Sequence, residues 1–165
     1  TLILRPATVC GYSPRMRFDL TVNILTNHAV NKGKITVFGG AQMRPNIHIE
    51  DMTDVYIKSL QWSDSDIDGK IFNVGYHNHS VRDIADIVRD VVGENVEIIT
   101  QSTDDQRSYH ISSEKIKEEL NFESRHTLVE AVNDLLIAFQ QGLFHNSLED
   151  EIYFNIKRMQ SAKLS

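Results

Sequence analysis

The stretch Gly39-Gly40-Ala41-Gln42-Met43-Arg44-Pro45-Asn46-Ile47-His48-Ile49-Glu50-Asp51 restricts the possible folds more than any other part of the chain. It follows Ile35-Thr36-Val37-Phe38, a β-branched and aromatic run that reads as a strand ending at the glycine pair. A Gly-Gly turn lets the backbone approach a bound group closely. Arg44 comes next, with a forked cation suited to a carboxylate or phosphate. Pro45 pushes Arg44 toward extended backbone, so the arginine stands at the mouth of a second short strand, Asn46 to Ile49. Asp51 reads as the cap of a helix reaching about Trp62, with Asp54 in its acidic first turn. Taken alone, the segment fits either a surface arginine beside a turn or an anion site on an α/β scaffold.

The rest of the chain alternates strands and helices in the same way. Residues 2–5 form an uninterrupted apolar run, as expected of a parallel strand covered on both faces. A helix is expected from about Phe18 to Val30, with Leu20, Ile24 and Leu25 inward. Ile71 to Val74 reads as a strand closed by Gly75. Ser80-Val81-Arg82-Asp83 resembles a capping arrangement ahead of Ile84, Ile87, Val88 and Val91, with Gly93 as the stop. Val96 to Thr100 reads as a strand, and Ser112 or Ser113 starts a short helix. Thr127-Leu128-Val129-Glu130 is a clearer capping box for a helix whose apolar face carries Leu128, Val132, Leu135, Leu136 and Phe139. Residues 1–142 are expected to form one structural region, and 143–165 a mobile tail or peripheral helix.

Composition narrows the function classes. A chain of 165 residues suits one domain with a usable core. The formal charge of −6 disfavours nucleic acid as a partner, so an anionic substrate needs a few well-placed cations. Cys10 is the single cysteine, which excludes an internal disulfide and fits a reducing, cytoplasmic compartment. No apolar run approaches the ~20 residues of a membrane span.

Four sequence marks occur in order: Leu4-Arg5-Pro6-Ala7-Thr8-Val9-Cys10-Gly11, then Ile35 through Asp51, then Phe72-Asn73-Val74-Gly75, then Asp105-Gln106-Arg107-Ser108-Tyr109-His110-Ile111-Ser112. Over residues 1 to about 142 the chain resembles the C-terminal, substrate-binding half of nucleotide-sugar epimerases and dehydratases. These are NAD-dependent enzymes of the extended short-chain dehydrogenase/reductase superfamily. The resemblance implies an α/β fold, comprising the C-terminal part of a Rossmann-like doubly wound sheet and a small α/β substrate-binding domain. It also implies a G-x-x-G-x-x-G turn for the NAD pyrophosphate and a Tyr-x-x-x-Lys pair for proton transfer. The chain is read as lacking both, and its opening at Thr1 on the run Leu2-Ile3-Leu4 as a cut inside a longer protein. No catalytic residue is therefore assigned, NAD is expected to be held by the missing half, and the parent is expected to be a homo-oligomer.

The same resemblance assigns the substrate contacts. Arg44 and Arg107 are candidate diphosphate clamps, although position alone equally allows an ion pair of Arg107 with Asp104 or Asp105. Asp19-Leu20 falls where relatives place an Asn-Leu pair against the diphosphate and base; with Asp there, only the backbone contact of Leu20 carries over. Thr36 and Phe38 match the strand lining the nucleobase. Asp105 and Tyr109 match positions near the ribose and phosphate. Thr8 stands where many relatives have a sugar-binding Asn, and Ser102 where many have another Arg.

The histidines show no ligand set at recognised spacing, so no metal is expected. His48 reads as a structural hydrogen bonder, and His77 and His79 as loop residues facing opposite ways. Cys10 reads as a packed thiol. Three functions fit. The first is the substrate-binding part of an NAD-dependent epimerase or dehydratase acting on a nucleotide-diphosphate sugar, inactive alone. The second is a non-catalytic regulatory or interaction protein on the same scaffold, and the third a reductase of a non-nucleotide substrate.

Overall fold

At Ala7 the chain changes strand partners. In the computed structural model, which describes residues 1–105 and 107–163, β1 (Ile3–Pro6) runs parallel to β5 (Ile71–Val74), with Ile3 opposite Ile71 and Pro6 opposite Val74. The Ala7 N–H still bonds the Val74 carbonyl at 2.7 Å. Immediately beyond it, β2 (Thr8–Cys10) runs parallel to β4 (Met43–His48), with Thr8 opposite Asn46. On its other edge β4 pairs antiparallel with β6 (Asn78–Ser80), with Arg44 opposite His79. A third pair, β3 (Lys34–Phe38) with β7 (Glu97–Gln101), is also parallel. Parallel strands cannot be joined by tight turns and need crossover connections, which the intervening helices provide. The α/β class expected from the sequence is the class observed.

The helices are α1 (Thr21–Lys32), α2 (Ile49–Ser59), α3 (Asp64–Ile67), α4 (Val81–Val92), α5 (Glu114–Leu120), α6 (Leu128–Gln140) and α7 (Asn155–Ser161). Two of them start as expected from local chemistry. Ser80 and Asp83 form a reciprocal capping box on α4, and Thr127 and Glu130 form one on α6. Each box satisfies two backbone donors that the first turn would otherwise leave unpaired. The buried faces of α1, α4 and α6 meet over β3, with Val22, Leu25, Ile35, Val37, Ile84, Val88 and Val132 in one cluster. A second cluster, including Ile47, Val55, Phe72, Val74 and Ile116, lies around β1, β5 and α2.

Several boundaries differ from the sequence expectation. Helix α1 begins at Thr21, not Phe18; Phe18 is fully buried against Phe139, Phe144 and Tyr153, with ring centroids 5.6, 5.1 and 5.2 Å away. Leu20 and Ile24 are only half-buried, and Val22, Leu25 and Ala29 form the inward face. Strand β4 starts at Met43, so Arg44 lies within the strand. Helix α2 starts at Ile49, and its cap is His48, whose Nδ1 accepts the Glu50 N–H at 3.1 Å. Asp51 does not cap it. The Asp51 carboxylate is buried and accepts the backbone N–H groups of Arg125 and His126, so a long-range pairing outcompetes the local one. His79 lies in β6, where residues two apart share a face. His77 lies just before the strand, and the two ring centroids are 5.9 Å apart instead of facing opposite ways.

Beyond Gly142 the chain packs onto the body. Tyr153, in a 3-10 turn at Glu151–Tyr153, is 8% exposed. Its carbonyl accepts the Phe18 N–H at 2.9 Å, and the buried Asn27 side chain donates to the Ser147 carbonyl at 2.9 Å. Within this segment α7 spans Asn155–Ser161.

Candidate functional site

A cavity of about 270 Å³ opens between α1 and the end of β3. Thr21, Ile24, Leu25 and His28 line it from α1, Thr36 and Phe38 from β3, and Gln42 and Arg44 from the turn and start of β4. Asp19, Val81, Thr103 and Asp105 complete the wall. Four of the sequence-assigned residues thus meet here from three separate segments: Thr36, Phe38, Arg44 and Asp105.

The turn that positions them depends on glycine. Gly39 and Gly40 have φ of +76° and +116°, left-handed backbone that side-chain-bearing residues adopt only at a cost. The Gly40 N–H donates to Gln42 Oε1 at 2.7 Å, while Gln42 Nε2 donates to the Phe38 carbonyl and to the Asp105 carbonyl at 3.2 and 3.1 Å. Gln42 therefore ties the glycine turn to the segment after β7. Two further bonds hold that segment against β4: Met43 N–H to Ser108 Oγ at 2.9 Å, and Arg44 Nη1 to the Arg107 carbonyl. Sequence reasoning missed Gln42 because its partner lies 63 positions away.

Arg44 is the cation of the cavity, its side chain only 15% exposed. Its Nη2 stands 3.8 Å from Asp105 Oδ2, and its Cζ lies 5.6 Å from the Tyr109 ring centroid. Arg107 is placed differently. Its Nε and Nη2 donate to the two Asp105 oxygens at 2.8 Å each, and its side chain is 84% exposed. Hydrogen bonds from Arg107, reinforced by the charges of Arg107 and Arg44, hold the Asp105 carboxyl well below the usual carboxylate range. The ion pair that position alone allowed is the arrangement observed, and Arg107 does not line the cavity.

Leu20 sits at the head of α1 with no side-chain cap on that helix, leaving first-turn backbone donors beside the rim. Asp19, an awkward neighbour for a diphosphate, is matched by Arg17. Burial opposes its ionisation, but hydrogen bonds from Arg17 and the Asn155 N–H, with the Arg17 charge, outweigh that and lower its pKa. Thr8 lies in β2 opposite Asn46 and does not line the cavity.

Residues 1–75 match the model of the family described as NAD dependent epimerase/dehydratase. Over these residues the chain resembles that family. It is 28% identical to a UDP-glucose 4-epimerase of Corynebacterium glutamicum, over 75% of this chain and 40% of that protein. Among solved structures, it superposes on a UDP-glucose 4-epimerase of Thermotoga maritima crystallised with UDP-glucose, with a TM-score of 0.72 and 22% identity, covering 87% of this chain and 47% of that one. A dTDP-glucose 4,6-dehydratase of Bacillus anthracis in complex with NAD gives a TM-score of 0.73 at 16% identity, covering 90% and 47%. The chain spans less than half the length of each of these relatives.

One sequence expectation needs correction. Tyr153 and Lys157 do stand at Tyr-x-x-x-Lys spacing. Tyr153 is buried among Phe18 and Phe144, and Lys157 Nζ lies 4.3 Å from the Phe154 ring centroid. Neither residue lines the α1–β3 cavity; the tyrosine is used in packing.

The chain also assembles His48, Glu50 and His126, whose ligand atoms lie within 4.8 Å of one another. Spacing could not reveal this group, because His126 arrives from a distant segment. Each of the two imidazoles has a hydrogen-bonding neighbour at both ring nitrogens. His48 Nδ1 accepts the Glu50 N–H, so the proton is on Nε2, which donates to Asp134 Oδ2 at 3.1 Å. His126 has Asp51 Oδ1 2.9 Å from Nδ1 and Glu50 Oε2 3.1 Å from Nε2. Asp51 and the other flanking carboxylates raise its pKa despite partial burial, favouring an imidazolium with two donors and no lone pair. Among the described residues, no helix is long and apolar enough to cross a membrane.

Proposed function

We propose that the α1–β3 cavity holds the nucleoside diphosphate of a nucleotide-sugar, and that this chain is the substrate-binding part of an NAD-dependent epimerase or dehydratase. The observation that carries this reading is the convergence of Arg44, Thr36, Phe38 and the uncapped start of α1 on one cavity. Backbone donors at a helix N-terminus and a half-enclosed guanidinium suit a diphosphate. The β3 wall gives a base an aromatic face beside a strand.

NAD is bound by a part of the parent protein not included in this sequence, since the eight glycines here never fall in the G-x-x-G-x-x-G pattern. The cofactor, when bound there, carries the hydride chemistry. The residues of this chain bind and orient the substrate, and alone they turn nothing over. The crystal form of the Thermotoga relative with UDP-glucose supports a uridine nucleotide as the first ligand to try.

Calorimetric titration of the 165-residue chain with UDP, beside Arg44→Ala, tests the assignment. Saturable UDP binding that collapses in the variant is expected. Equal binding by both proteins rejects the cavity as the nucleotide site.

A further inference from the structure

One side chain in the cavity wall is chemically uncommitted. His28 lies on the stripe of α1 formed with Thr21, Ile24 and Leu25, a one-face spacing on a helix. Gly33, at φ 63°, reverses the chain between α1 and β3, so His28 lies toward Thr36 and Thr21 toward the Phe38 end. The other titratable groups of the wall are occupied: Asp19 by Arg17, Asp105 by Arg107, and Arg44 by backbone carbonyls and Asp105. No hydrogen-bond partner of His28 occurs among the described residues; burial and the Lys32 charge one turn away lower its pKa. It therefore meets a ligand as a neutral imidazole, with one donor and one acceptor.

We infer that His28 hydrogen-bonds the edge of the nucleobase and sets which base the cavity accepts. This rests on the nucleotide reading above. The diphosphate goes to the Arg44 end of the cavity, which directs the base along β3 toward Thr36 and His28. There the neighbouring wall includes the apolar side chains of Ile24 and Leu25. A site that hydrogen-bonds its ligand rejects analogues that leave its own polar group unpaired. Uracil and cytosine differ in just this respect, exchanging a carbonyl and ring N–H for an amino group and a ring lone pair.

The test compares UDP, CDP and inorganic pyrophosphate binding to the wild-type chain, His28→Ala, His28→Gln and Arg44→Ala. His28→Ala is expected to weaken UDP binding roughly threefold to tenfold, to leave pyrophosphate binding unchanged, and to draw the UDP and CDP affinities together. His28→Gln, which keeps a donor and an acceptor, is expected to recover part of the UDP affinity. Equal weakening of UDP and pyrophosphate would mark a merely structural role and overturn the inference. UDP binding lost in Arg44→Ala but untouched in His28→Ala overturns the inference alone. No UDP binding by the wild type overturns the nucleotide reading along with it.

Discussion

Arg17 closes a two-bond fork on Asp19 at the cavity rim, Nε to Oδ1 at 3.0 Å and Nη2 to Oδ2 at 3.2 Å. The same carboxylate accepts the Asn155 N–H at 3.0 Å, so it also anchors the start of α7. A negative side chain where a diphosphate is proposed to sit is thereby neutralised in place, with a guanidinium brought alongside it.

Removing that guanidinium should expose the carboxylate to the ligand. Arg17→Ala is expected to weaken UDP affinity, and the double variant Arg17→Ala/Asp19→Asn to recover much of the loss. Calorimetry on the two proteins checks this; a double variant no better than Arg17→Ala would mean that Arg17 contacts the ligand itself. Such coupling is expected of residues in direct contact.

The two sequence-assigned clamps should separate. Arg44→Ala is expected to cost roughly 1.5–3 kcal/mol of UDP binding, about tenfold to a hundredfold. Arg107→Ala should cost clearly less, acting only by freeing Asp105 to draw on Arg44. Equal losses in the two single variants would restore Arg107 to the clamp.

Gly39→Ala should damage both stability and binding. A β-carbon at φ +76° would lie 2.5 Å from Gln42 Nε2 and 2.7 Å from Thr103 Cγ2. The left-handed backbone alone costs a residue with a β-carbon ~1–2 kcal/mol, and Gln42 must also give up its bridging position. Denaturant melts read the first effect and UDP titration the second; unchanged values in both would show that the turn tolerates a side chain.

His126 should make stability depend on pH in a defined direction. Its folded pKa is raised, mainly by hydrogen bonding to Asp51, from the ordinary value of 6.5. The folded state therefore binds the proton more tightly than the unfolded chain. The resulting stability is fully present below about pH 6.5 and disappears as pH rises through the folded pKa. The unfolding free-energy difference between wild type and His126→Gln should thus be largest in mild acid and shrink toward alkaline pH. A difference that grows with pH would contradict the imidazolium assignment. His28 and His79, with lowered pKa values, act in the opposite sense, which is why the difference between variants is the quantity to measure.

What the sequence determined by itself was local. Ser80 with Asp83 and Thr127 with Glu130 are three residues apart, so their capping boxes form wherever the helix starts and were legible without a fold. The alternating strands, the glycine turn before Arg44 and the family marks were legible for the same reason: each depends on residues adjacent along the chain. The tertiary structure decided the contests between a local partner and a distant one. Asp51 had the position of a helix cap, but the backbone N–H groups of Arg125 and His126, 74 and 75 positions away, took its carboxylate and left the cap to His48. Tyr153 and Lys157 have the spacing of a catalytic pair, yet the Phe18 cluster buries the tyrosine because its apolar ring gains more from packing than from water. Gln42 and Asp105 meet only because β3 and β7 run side by side. Spacing along the chain encodes contacts within a turn of helix or strand; which distant group wins a buried donor or charge depends on how the layers close over it, and that is settled only when the whole core packs.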